Sequence, residues 1–155
     1  VIRYSKDPIP DDIRIVTSHD GLDVLCDGPE DGILLVAHGQ LCAEALAAVD
    51  QLDFPVRVVS PRWSLPVCGG LIEEAARARA VVSVEDGLVV SGLGSHLADV
   101  LSQRGMWRPI RSLGIPQRYL DHDSRSAIIA ELGLDSRGIA DAVSQLVAQL
   151  DGECS

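Results

Sequence analysis

The 155-residue sequence predicts an α/β domain: a three-layer α/β/α sandwich around a five-stranded, mostly parallel sheet. Three observations carry that expectation. Short apolar runs alternate with segments of helical periodicity, the pattern of successive βαβ units. Hydrophobic residues make up 46% of the chain yet only five residues are aromatic, so Val, Leu, Ile and Ala must fill the core, as they do around buried parallel strands. One segment breaks the alternation. Leu22–Cys26 is followed by only six residues before the next apolar run, too few for a right-handed crossover, which makes it an antiparallel edge strand.

The elements follow in order. Residues 1–20 hold Pro8, Pro10 and four acidic residues without a sustained period, and are read as a linker or arm from a preceding domain; the domain proper spans 21–151. Val1–Tyr4 has the character of a strand end and the first residue is not Met, so the chain is read as a piece of a longer one. Leu22–Cys26 stops at Asp27-Gly28-Pro29. Ile33–Ala37 is an apolar strand running into His38-Gly39, and Leu41, Ala45, Ala48 and Leu52 then recur at helical spacing. Pro55–Ser60 is the third strand and Leu71–Ala80 the second helix. Val81–Val84 is the fourth strand, ending in Glu85-Asp86-Gly87, and Ser91–Ser95 opens a helix through about Gln103. Ile110–Leu113 is the fifth strand. Ser124 is placed to cap a short helix that stops at Gly133, and Ile139, Val143, Leu146, Val147 and Leu150 stripe a last helix.

A formal charge of −10 argues against nucleic acid, whose binding depends on clustered Lys and Arg. No apolar run approaches the ~18 residues of a membrane span, and no signal peptide is present, so a cytoplasmic, non-membrane protein is expected. Cys26, Cys42, Cys68 and Cys154 lack CxxC spacing and read as reduced thiols in or beside apolar segments.

In open α/β sheets, functional groups gather at the carboxyl ends of the strands. His38-Gly39, Pro61-Arg62-Trp63, Glu85-Asp86-Gly87 and Gly114–His122 fall there. Arg62 is the leading candidate: its guanidinium fork suits a phosphate, Pro61 fixes its backbone and Trp63 stands ready to wall one side. The competing interpretation is a surface or interdomain salt bridge. Glu85 and Asp86 are a carboxylate pair, a cation site, or an acidic strand end paired with arginine. Gly92 and Gly94 begin a GxGxxG pattern, but Leu97 occupies its third position, which leaves a strand-to-helix turn with N–H groups open to an anion. His38, His96 and His122 lack metal-ligand spacing.

Four segments together resemble the C-terminal domain of the 1-deoxy-D-xylulose-5-phosphate synthase family, within the transketolase superfamily. Ser112–His122 with Ser124-Arg125 is similar to that family's end-of-sheet segment. Val58–Trp63 with Pro66 resembles its D-x-R-[FW]-x-x-P strand end, Val82–Gly87 with Gly92, Gly94 and Ser95 its VTVE turn, and Ile2-Arg3-Tyr4 with Lys6 the motif closing its pyrimidine-binding domain. Ser5, Asp7, Ser60 and Ser91 depart from the pattern; Ser60 stands where the family has an acid two residues before the arginine.

The resemblance implies a thiamine-diphosphate- and Mg²⁺-dependent transferase. It condenses pyruvate with glyceraldehyde 3-phosphate, releases CO₂, and feeds isoprenoid, thiamine and pyridoxal biosynthesis. It also implies that Arg3 and Arg62 hold the substrate phosphate. The partners it implies are the N-terminal and pyrimidine-binding domains of the same enzyme and a second subunit of a homodimer. This chain carries no catalytic, cofactor-binding or metal-ligating residue under that implication, and alone is expected to be inactive. Two rival functions stand beside it: a non-catalytic dimerisation module, and the C-terminal domain of a 2-oxo acid dehydrogenase β-subunit.

Overall fold

The computed structural model describes residues 13–152. Six strands, β1 (Thr17–His19), β2 (Leu22–Cys26), β3 (Ile33–Ala37), β4 (Val56–Pro61), β5 (Ala80–Leu88) and β6 (Ile110–Ile115), form one sheet in the order β1-β2-β4-β3-β5-β6. β3, β4, β5 and β6 are parallel, while β2 runs antiparallel to β4 and β1 antiparallel to β2. Helices α1 (Leu41–Val49), α4 (Arg125–Glu131) and α5 (Ser136–Gly152) cover one face; α2 (Gly69–Arg77) and α3 (Leu93–Gln103) cover the other.

Two sequence expectations are corrected. The sheet has six strands rather than five, and its antiparallel edge is β1, which lies inside the segment read as an arm. Asp20 and Gly21 both have positive φ, 40° and 79°, and join His19 to Leu22 as a two-residue hairpin turn. Asp-Gly is the dipeptide such turns favour, because both central residues need left-handed backbone. β5 also runs on through Glu85-Asp86-Gly87, with a register irregularity between Val84 and Leu88.

β3 shows why the sheet lies where it does. Every one of its residues is buried, Ile33, Leu35 and Ala37 against α1, α4 and α5, Leu34 and Val36 against α2 and α3. A strand apolar on both faces has no stable place except the middle of a covered parallel sheet.

The same alternation drives a charge inward. Val56 and Val58 face the α1 side, so Arg57 points toward α2 beneath its cover. There Arg57 Nε and Nη2 donate to the Glu74 carboxylate at 3.0 and 3.1 Å, and Nη1 donates to Asp27. Glu74 is 2% exposed and also meets His19 Nε2 at 3.4 Å. Burial pulls the Arg57 pKa down, but Glu74 and Asp27 outweigh it and hold it above the ordinary value. Removing one member of a buried ion pair strands the other. Glu74→Ala is expected to destabilise the chain by about 3–5 kcal/mol in urea unfolding, whereas Arg57→Met with Glu74→Leu should be close to neutral. A loss below about 1 kcal/mol for Glu74→Ala would show that Asp27 alone satisfies Arg57.

Candidate functional site

The carboxyl ends of β3, β4, β5 and β6 bring together the four segments singled out from sequence. Arg62 follows β4 directly. Its Nη2 donates to Asp23 Oδ1 at 2.9 Å, and its Nε lies 3.3 and 3.4 Å from the two Asp23 oxygens. Asp23 is held in turn by Ser18 Oγ at 2.6 Å, so the pair is built across β1, β2 and the end of β4. The Arg62 hydrogen bonds, with smaller help from Ser18, keep the Asp23 carboxyl below its ordinary range, and Asp23 raises Arg62. Trp63, expected to wall the guanidinium, is 74% exposed; Asp23 is what restrains Arg62. Arg3 lies outside the described residues.

His38 is tied to the same loop. Its Nδ1 lies 3.2 Å from the Pro61 carbonyl and its Nε2 2.8 Å from Ser64 Oγ. A carbonyl only accepts, so in the neutral ring Nδ1 carries the proton and Nε2 accepts from the Ser64 hydroxyl. The imidazole therefore fastens the 61–64 turn to the end of β3.

The acidic pair is divided. Glu85 is buried, and its carboxylate accepts from the backbone N–H of Leu93 at 2.9 Å and of Gly94 at 3.3 Å, capping α3. Asp86 pairs with Arg125 at 2.5 Å. The glycines of the turn are explained by packing. A Cβ on Gly92 would overlap the Glu85 carboxylate, and one on Gly94 would overlap the Ser83 and Ser112 hydroxyls. The anion position expected at this helix start is filled by the protein's own carboxylate. A diphosphate with its cation does not fit there: Glu85 would repel it, and among the described residues no group of three or more His, Cys, Asp or Glu is placed to ligate a metal.

The edge is also apolar. Of eight large hydrophobic residues exposed among the described residues, Leu88 ends β5 and Trp63, Leu65, Val90 and Tyr119 lie beyond β4, β5 and β6, and Leu88, Gln117, Arg118 and Tyr119 line a shallow cleft. Contiguous exposed apolar surface is the kind that proteins use for contact with a partner or a ligand.

Residues 23–139 match the family described as "Transketolase, C-terminal domain". The chain belongs to the transketolase C-terminal domain family. Among curated relatives, it is 97% identical over 155 residues to a 1-deoxy-D-xylulose-5-phosphate synthase of Cutibacterium acnes, covering 100% of this chain and 25% of that protein. It is 40% identical over 159 residues to 1-deoxy-D-xylulose-5-phosphate synthase 2 of Streptomyces avermitilis, covering 98% of this chain and 24% of that protein. The chain thus spans about a quarter of the length of the curated relatives it matches. A solved structure described as a split gene transketolase, inactive beta4 tetramer, superposes with a TM-score of 0.70 at 30% identity over 84% of this chain and 42% of that one. A transketolase from Campylobacter jejuni shares the fold, with a TM-score of 0.59 at 16% identity over 85% of this chain and 20% of that one.

Arg62, Glu85 and the glycine turn stand out in the sequence, whereas Asp23 and Ser18, which hold Arg62, do not. The Asp20-Gly21 hairpin signal was available to place them. If Glu85 is a cap, Glu85→Ala should cost about 0.5–2 kcal/mol of stability in urea unfolding, the range for losing a helix cap, and Glu85→Gln should recover part of it. Unchanged stability in Glu85→Ala would overturn the capping role.

Proposed function

We propose that this chain serves as the C-terminal domain of a thiamine-diphosphate-dependent transferase, 1-deoxy-D-xylulose-5-phosphate synthase, which joins pyruvate to glyceraldehyde 3-phosphate with loss of CO₂. One observation carries the proposal: near-identity, over the whole chain, to a synthase of that name. The cofactor and its Mg²⁺ belong to the remaining three-quarters of such a protein, and no step of the reaction is assigned to residues here. The chain's own work is to pack against those parts and a second subunit through its apolar carboxyl edge, and to offer Arg62, with Arg3, to the substrate phosphate. The inactive β4 tetramer of the split-gene transketolase, of whose chain this domain matches 42%, supports only that a larger piece containing such a domain associates.

Arg62 supports the phosphate role by position and by donors. Asp23 occupies the Nε–Nη2 side, while Nη1 has no partner among the described residues and the side chain is 56% exposed. A second reading, the non-catalytic packing module, is favoured by the same ion pair and by the exposed Trp63, Leu65, Leu88, Val90 and Tyr119.

The test compares kcat/KM for glyceraldehyde 3-phosphate and unphosphorylated glyceraldehyde in the full-length enzyme. A charge-assisted hydrogen bond is worth about 1.5–3 kcal/mol, so Arg62→Ala should lower kcat/KM for the phosphorylated aldehyde by about ten- to a hundredfold or more. The loss for glyceraldehyde should be far smaller, and Arg62→Lys should recover only part, because an ammonium lacks the fork. Equal losses on both aldehydes would replace the phosphate contact with the packing role.

A further inference from the structure

We propose that Asp23 is the positioning residue for Arg62: it turns and holds the guanidinium so that the Nη1 end stays open for a phosphate monoester. This rests on the phosphate contact proposed for Arg62. The supporting geometry runs across three strands in one register. Ser18 of β1 pairs with Asp23 of β2, and Asp23 pairs with Ser60 of β4, two residues before Arg62. Ser18 Oγ donates to Asp23 Oδ1 at 2.6 Å, which leaves the carboxylate little freedom. Asp23 then accepts from Nε and Nη2 of Arg62 along one side of the fork. His38 is engaged elsewhere, by Pro61 and Ser64.

Two effects oppose each other. Asp23 sets a negative charge beside the cation that is to meet an anion, and it removes the rotamer freedom of a long, exposed side chain. The carboxylate is 16% exposed but its partner guanidinium is 56% exposed, so water reaching the Arg62 end weakens the first effect. The second is undiminished, because a guanidinium already oriented loses less freedom on binding. Orientation therefore outweighs repulsion, and losing Asp23 should weaken phosphate binding even though it makes the site more positive.

The register also says where else the carboxylate can stand. Position 60 is the cross-strand neighbour of position 23, where Ser60 Oγ now accepts from Cys42 Sγ at 3.4 Å, and an acid there is the nearest alternative in the sheet for holding the same guanidinium. Exchanging the two side chains, Asp23→Ser with Ser60→Asp, keeps composition and net charge while moving the acid by one strand.

The experiment measures kcat and KM of the full-length enzyme for glyceraldehyde 3-phosphate and glyceraldehyde in wild type, Arg62→Ala, Asp23→Ser and the exchanged double variant, each checked for folding by circular dichroism and thermal melting. Asp23→Ser should raise KM for the phosphorylated aldehyde by about three- to tenfold with kcat nearly unchanged, the size expected from freeing one ordered side chain. The double variant should recover most of that loss. If Arg62→Ala acts selectively on the phosphorylated aldehyde while Asp23→Ser does not, the positioning role is wrong and the Arg62 contact stands. If Arg62→Ala is not selective, both fall. If Asp23→Ser lowers kcat for both aldehydes or melts early, Asp23 is holding the hairpin rather than aiming Arg62, and the proposal is again wrong.

Discussion

The carboxylate of Glu85, accepting hydrogen bonds from Leu93 and Gly94, sets what the carboxyl edge of this sheet can do. It fixes the start of α3, and with it Leu93, Leu97 and Leu101, which fill the space between that helix and the sheet. It also neutralises the helix terminus at the point where many α/β sheets receive a phosphate. Gly92 and Gly94 follow as consequences, since only a residue without Cβ lets the turn close over the carboxylate and the two serine hydroxyls. A pattern that suggests nucleotide binding is here a device of internal packing.

The same economy runs along the edge. Asp86 meets Arg125, Asp23 meets Arg62, and His38 is fastened to Pro61 and Ser64. The charged groups answer one another before any ligand arrives, and exposed apolar side chains, Trp63, Leu65, Leu88, Val90 and Tyr119, stand among the polar ones left outward. Such an edge is suited to contact with another surface, with Arg62 among the cations whose donors are only partly taken. This fits a family whose curated members are about four times the length of this chain.

Much of the fold was legible because its signals are local. The all-apolar run Ile33–Ala37 can only be a central strand, and Ser124 and Gly133 mark the two ends of α4, the first accepting from Ala127 N–H at 3.2 Å and the second at φ 66°. β1 was harder to see, because Thr-Ser-His has no apolar alternation and is recognised only through the Asp-Gly turn after it. The partners of the charged residues were not legible. Asp23 lies 39 residues from Arg62 and Glu74 17 from Arg57, so each pairing exists only once the strand order does. Arg57 still left a trace: an arginine inside an apolar strand requires a buried acid. At the edge, the sequence singles out Arg62 but not Asp23, the residue that the structure pairs with its guanidinium.

The central proposal is that this domain leaves cofactor binding to the rest of a larger enzyme and contributes through contacts with it. Isothermal titration with thiamine diphosphate in the presence of Mg²⁺, run in parallel on this chain and on the full-length protein, tests it most directly. Stoichiometric binding by the full-length protein and none by the chain is the predicted result. Saturable, stoichiometric binding by the chain itself would contradict the claim.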